Sequence, residues 1–91
     1  MIVVHCHFAP NEAIFLHPER ITKLHKPSTT QLWVEGYECC LQIKETPEQV
    51  AKLCAAWADR WRWEDFNNAT ANYAVFDKEA GVVVFNFSER P

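Results

Sequence analysis

The chain has 91 residues, 48% of them hydrophobic and 13% aromatic, and a formal net charge of −3. This length predicts one domain spanning 1–91 with a modest hydrophobic core. The acidic balance and the scattered Lys and Arg residues argue against a protein that binds a nucleic-acid backbone, since such proteins carry a basic patch.

The N-terminal segment lacks the basic region of a signal peptide, and no stretch approaches the roughly 20 apolar residues of a membrane span. We therefore expect a cytoplasmic protein with no membrane partner. The cysteines also indicate a reducing compartment such as the cytoplasm, because the spacing of the four is unlike a secreted disulfide framework. They are Cys6, Cys39, Cys40 and Cys54.

Short strands are predicted in the first part of the chain. Residues 2–8 alternate with period two, which is typical of a strand and places Phe8 on the same face as Ile2. The apolar run 13–16 is expected to pair back on this strand. A bend or a single helical turn then leads to a third strand over 21–25.

A hairpin is predicted next, with strands over 31–34 and 37–43 flanking Glu35 and Gly36. The second of these strands has the clearest alternation in the chain, which predicts one face toward the core and one toward solvent. The residues expected to face the core are Tyr37, Cys39, Leu41 and Ile43.

One main amphipathic helix is predicted over about 47–62. Thr46 is a suitable N-cap, Pro47 suits the first helical position, and Gln49 lies where a capping box needs it. Apolar residues then recur with the spacing of a buried helical stripe. The stripe consists of Val50, Leu53, Cys54, Trp57, Ala58 and Trp61.

The polar segment 64–72 is interpreted as a connection, and 73–76 and 82–87 as a second hairpin. The last strand is apolar on both faces, and such strands are usually covered on both faces. Either an irregular segment covers the second face or a second copy does. In the latter case Val82 and Val84 would form an oligomerisation surface in a homodimer.

These elements have the order β-β-β-β-β-α-β-β. Runs of strands beside a lone helix favour an α+β fold with a mostly antiparallel sheet.

His5, His7 and Cys40 form the candidate metal site. The two histidines share one face of a predicted strand, and Cys40 can lie on the same side of the sheet, so zinc is the cofactor this set would hold. The spacing lacks the recognised zinc motifs. The other interpretation is a solvent-facing histidine edge with no cofactor.

Catalytic motifs are missing from the sequence. Ser28 lies in a predicted turn and Ser88 near the C-terminus, so neither sits in a nucleophile elbow. Strand alternation places Cys6 on the opposite face from its neighbouring histidines. The two glycines are isolated and form no phosphate-binding loop. We therefore expect no enzymatic activity.

Trp63 is the strongest candidate for a binding residue. Continued helically it falls opposite the buried stripe, and Trp and Arg are enriched at interface hot spots. Arg60, Arg62, Phe66 and Trp33 complete this candidate protein-binding surface. Alternatively, Trp63 lies under the following loop and Trp33 packs against the helix. The same aromatics can stack nucleobases, although the acidic residues beside them disfavour this use.

Two motifs carry a resemblance that covers about half of the chain. They are the bend from Leu16 to Ile21, LHPERI, and the helix start from Lys44 to Val50, KETPEQV. Their order, with strands and a Gly hairpin between them, resembles FlbD-like flagellar proteins and several small phage-type proteins. The resemblance implies a small accessory protein with strands before the helix.

The sequence thus predicts a small non-enzymatic protein that binds another protein and self-associates. It would act as an accessory or regulatory factor, or as an inhibitor of the type that phages and mobile elements encode. A metal-binding module and a nucleic-acid-binding regulator are the alternatives.

Overall fold

A computed structural model describes residues 1–89 and confirms the α+β class. Seven strands and two helices make up this part of the chain. The strands have the predicted order, and a pair of helices stands where one helix over about 47–62 was predicted. The elements are β1 (Ile2–His5), β2 (Ala13–Leu16), a 3₁₀ turn (Pro18–Arg20), β3 (Ile21–His25), β4 (Thr30–Val34), β5 (Leu41–Ile43), α1 (Pro47–Ala58), α2 (Arg60–Asn67), β6 (Ala69–Asp77) and β7 (Val82–Glu89). Neither helix is long and apolar enough to cross a lipid bilayer.

The strands form two sheets. One has four strands in the order β2-β1-β6-β7, and the other has three in the order β3-β4-β5. All pairings are antiparallel except that of β1 with β6, where Ile2 lies opposite Ala74. The mostly antiparallel arrangement predicted from the sequence is therefore confirmed.

The core lies between α1 and the two sheets. Helix α1 packs on β6 and β1 and begins as predicted: the Thr46 hydroxyl accepts a hydrogen bond from the Gln49 N–H, and the Gln49 side chain accepts one from the Thr46 N–H. This capping box satisfies two N–H groups that a helix start otherwise leaves free. The buried core residues are Ile2, Val4, Leu16, Leu32, Val34, Ile43, Val50, Leu53 and Ala74.

The two sheets meet at the C-terminal end of β1. There the chain leaves β6 and pairs with β5 instead: the Lys44 N–H donates to the His5 carbonyl at 2.9 Å, and the His7 N–H donates to the Gln42 carbonyl at 2.9 Å. The buried Glu45 carboxylate binds His5 at this junction. It accepts a hydrogen bond from the His5 N–H at 2.8 Å and lies 2.6 Å from His5 Nδ1.

Several predicted boundaries were wrong. The first strand ends at His5 rather than at residue 8, so Phe8 lies in the following bend and is exposed. Strand β5 begins only at Leu41, because residues 35–40 form a wider turn, and this leaves Tyr37 and Cys39 exposed instead of in the core.

The segment 64–72 is not a connection, because it contains the end of α2 and the start of β6. The first residues of this segment are polar because they lie on α2, a surface helix in which none of the eight residues is buried.

Replacing Glu45 with alanine should lower the free energy of unfolding by about 2–3 kcal/mol, because it leaves the His5 N–H and ring without their buried acceptor. Chemical denaturation measures this difference. Glu38→Ala, which removes an exposed carboxylate from the 35–40 turn, is the control and should change stability by less than about 0.5 kcal/mol. Equal effects of the two substitutions would contradict the role of Glu45.

Candidate functional site

A break at Asp59 separates the two helices and decides which side chains of α2 face solvent. The Asp59 N–H still bonds back to the carbonyls of Ala55 and Ala56, but the residue has φ −96° and ψ 6°, outside the helical range. The helical phase therefore restarts at Arg60. Trp61 was predicted to continue the buried stripe of α1, and this was wrong, because the break moves it to the surface.

The inner side of α2 is held by Arg60. Its guanidinium group lies 4.4 Å from the centre of the Trp57 ring and donates a 2.9 Å hydrogen bond to the Trp57 carbonyl. Its Nε atom is also 3.4 Å from a carboxylate oxygen of Glu64, one helical turn away. Arg60 therefore anchors α2 to the end of α1 through contacts with Trp57 and Glu64, although its side chain is still 40% exposed.

Three large aromatic side chains of α2 are exposed, with Trp63 and Phe66 one helical turn apart and Trp61 on another part of the helix circumference. Trp61 is 56% exposed, Trp63 is 51% exposed and Phe66 is 83% exposed. Arg62 lies among them, with its guanidinium 5.2 Å from the centre of the Trp61 ring. We call Trp61, Arg62, Trp63 and Phe66 the α2 surface.

The end of α2 is fixed by two asparagines. Asn67 donates a side-chain hydrogen bond of 2.8 Å to the Trp63 carbonyl. Asn68 adopts the left-handed conformation, with φ 50° and ψ 45°, and turns the chain into β6. Asparagine tolerates this conformation better than most residues. The α2 surface is thus presented by a helix with defined anchors at both ends.

Trp33 belongs to a different part of the fold from the α2 surface. It lies half-buried on β4, where the Lys23 ammonium group is 4.9 Å from the centre of its ring. Helix α2 packs mainly on β6 and α1. Of the predicted protein-binding residues, Arg62, Trp63 and Phe66 therefore share one exposed surface, whereas Arg60 faces inward and Trp33 lies elsewhere.

A cleft of about 690 Å³ lies between the chain start, the 3₁₀ turn and the junction of the helices. Burial, with a further contribution from the Arg60 charge, lowers the pKa of the Met1 ammonium group to about 6. Burial also raises the pKa of the Cys54 thiol. A raised thiol pKa disfavours the thiolate, which is the nucleophilic form. The lining residues are Met1, His17, Pro18, Glu19, Cys54, Trp57, Ala58 and Arg60.

The alternative metal site is not assembled in the described part of the chain. Residues 1–89 contain no group of three or more His, Cys, Asp or Glu side chains placed to hold a metal ion. His5 instead uses its Nδ1 atom to contact Glu45, and His7 is exposed beside Phe8. The set His5, His7 and Cys40 is therefore not brought together as ligands.

The four-stranded sheet has an outer face, opposite the core. Val83 and Phe85 pack toward the core, so the alternation of β7 turns Val82 and Val84 outward, where both are exposed. At the other side of the sheet, Phe15 is also exposed and its ring meets that of Tyr73 edge-on at 5.3 Å.

Sequence reasoning missed two of these features. Trp61 was assigned to the core because Asp59 has no obvious helix-breaking character. Phe15 was not considered, since a four-residue apolar run does not reveal which of its faces is outward. The paired asparagines at 67 and 68 were a usable sign of a helix end, because asparagine is common at that position.

Comparison with known proteins gives no match: no family model fits this chain, and no curated protein or solved structure is significantly similar to it. The resemblance to FlbD-like and phage-type proteins therefore remains a likeness of turn and cap motifs. What the protein does must be argued from its own surfaces.

Alkylation should distinguish the buried thiol of the cleft from the exposed one. At mildly alkaline pH, iodoacetamide should modify Cys39 first and Cys54 much more slowly, because Cys54 is partly buried and its pKa is raised. Mass spectrometry of peptides from the labelled protein measures both rates, and the same reaction in denaturant is the control. Equal rates in the folded protein would contradict the environment described for Cys54.

Proposed function

We propose that this protein is a small non-enzymatic accessory or regulatory protein that acts by binding another protein through the α2 surface. The observation that carries the proposal is the exposure of Trp61, Trp63 and Phe66 on one short helix. Large aromatics are usually buried, so three exposed ones on a single eight-residue helix are unusual, and exposed aromatics of this kind are enriched at interaction sites.

The composition of the α2 surface favours a protein partner. Trp and Arg are the residues most enriched at the centres of protein interfaces, where they combine a large apolar area with hydrogen-bonding capacity. The surface contains two tryptophans, one arginine and one phenylalanine. Because Arg60 and Asn67 hold the helix at both ends, the side chains lose little backbone freedom on binding.

The proposal includes self-association and a reducing compartment such as the cytoplasm. Exposed Val82 and Val84 support self-association, because they extend the apolar outer face of the sheet to its last strand. The four free cysteines support a reducing compartment. The sequence contains no catalytic motif, which is why the proposal is non-enzymatic, and burial raises the pKa of the Cys54 thiol, which does not suit that one residue as a nucleophile.

Phe66→Ala should abolish capture of the partner while leaving the protein folded. Truncation of an interface hot spot costs about 2 kcal/mol or more, which is about a thirtyfold loss of affinity. The experiment is a pull-down from lysate of the source cells. It is followed by reconstitution with the purified partner and titration calorimetry. The double variant Trp63→Ala with Arg62→Ala should behave in the same way.

Phe8→Ala is the matched control. Phe8 is also a highly exposed phenylalanine, at 74%, but it lies in the bend after β1 and not on α2. The Phe8→Ala variant should bind the partner with wild-type affinity. All variants should keep the wild-type thermal midpoint to within a few degrees. The proposal would be contradicted if Phe66→Ala and Phe8→Ala lost partner affinity equally, or if the partner bound Phe66→Ala with wild-type affinity.

The nucleic-acid alternative rests on the same Trp and Arg side chains, which can stack bases. Binding of that kind weakens steeply as salt is raised. We expect no salt-sensitive binding to single-stranded or double-stranded oligonucleotides in a fluorescence anisotropy titration. Salt-sensitive binding that Trp63→Ala removes would favour the nucleic-acid function over the protein-binding one.

A further inference from the structure

Strand β7 forms one edge of the four-stranded sheet and is the longest edge strand of the described fold. It pairs with β6 on one side, and its other side carries a row of backbone N–H and C=O groups. Its sequence, VVVFNFSE, has high β-propensity and contains no Pro, Gly, Lys or Arg. Such an edge is a ready template for another strand.

The other sheet edges are protected in ways that β7 is not. Strand β2 has only four residues. Strand β3 carries Lys23 and a shift of register between Ile21 and Lys23. Strand β5 has three residues and meets Cys6 and His7 of the β1 extension. Short strands, a lysine and an irregularity are the usual devices that prevent edge pairing. Strand β7 is longer and has no lysine, and the extra residue of its ladder lies on the partner strand β6 and not on the free edge.

One end of β7 is held firmly by side chains. Asn72, at the register shift in β6, donates to the Asn86 side chain at 2.9 Å and accepts from the Ser88 hydroxyl at 3.1 Å. These bonds keep the strand extended beside β6. They leave the regular part, Val82 to Phe85, as a straight edge of the kind that pairs well.

Charge favours a second copy as the occupant of this edge. The single charged residue of β7 is Glu89, at its end. When two β7 strands pair antiparallel about a two-fold axis, the two Glu89 side chains lie at opposite ends of the paired segment and do not repel each other. The central residues are uncharged, so pairing the strand with a second copy brings no like charges opposite each other.

We propose that two copies of this protein join through the free edges of β7, antiparallel, so that their four-stranded sheets become one continuous sheet. This inference specifies the self-association included in the proposed function. An antiparallel pair of this length makes up to about eight backbone hydrogen bonds. It also gives exposed Val82 and Val84 cross-strand neighbours at about 5 Å on the outer face.

Sedimentation equilibrium over a wide concentration range tests the oligomeric state, and amide hydrogen exchange tests the mode of pairing. The expected mass is twice 10.6 kDa. As the dimer forms, every second amide of β7 should become protected, because alternate N–H groups point away from β6. Val84→Lys should weaken the dimer by about tenfold or more, since a charge on an edge strand opposes pairing.

Phe15→Lys is the matched control, because Phe15 lies on the same outer face but on the far strand β2. It should leave the dimer intact. A monomer at all concentrations would overturn the proposal. So would a dimer that Phe15→Lys dissociates without new protection in β7, since two stacked outer faces would give that result. If Val84→Lys fails to fold, Val82→Lys tests the same edge.

The two surfaces can be tested separately. Val84→Lys should still capture the partner that the α2 surface binds, and Phe66→Ala should still dimerise. If β7 does not pair with a second copy, the protein-binding proposal is unaffected. If the α2 surface binds no partner, the edge-pairing proposal is unaffected.

Discussion

The structure depends on the end of β1, because β1 lies inside the four-stranded sheet and the residues that follow it bridge to β5 of the other sheet. The first residues of β1 pair with β6, and beyond His5 the chain pairs with β5 instead. At the point of change, the buried Glu45 carboxylate accepts the His5 N–H and contacts the His5 ring. A buried carboxylate is costly unless its oxygens are bonded, so this pair fixes where the two sheets meet.

That junction determines what the helices can cover. With the sheets joined through β1, α1 packs on β1 and β6 and fills the core with Val50 and Leu53. Residues 1–89 contain no further apolar helix for the outer face of the sheet. Helix α2 buries none of its eight residues, and its Trp61, Trp63 and Phe66 are all exposed. Exposed apolar side chains therefore remain on the α2 surface and on the outer face of the four-stranded sheet.

The sequence predicted the parts of the fold that depend on local patterns. The Thr46 cap, the β2 pairing and the last hairpin follow from cap chemistry, alternation and turn residues, which neighbouring residues decide. The break at Asp59 was not predicted, because the apolar spacing of the stripe continues past it to Trp61. The wide turn at 35–40 was not predicted, because residues 37–43 alternate as a strand does. The α2 surface was therefore found only in part: Trp63 and Phe66 were proposed, but Trp61 was placed in the core.

The most direct test of the protein-binding account is fluorine NMR of the protein labelled with fluorotryptophan, in buffer and in lysate of the source cells. The chain has four tryptophans, two of them on the α2 surface. The account predicts that the Trp61 and Trp63 resonances shift and lose solvent contact in lysate, while those of Trp33 and Trp57 change little. Identical spectra in lysate and buffer, or changes confined to Trp33 and Trp57, would contradict it.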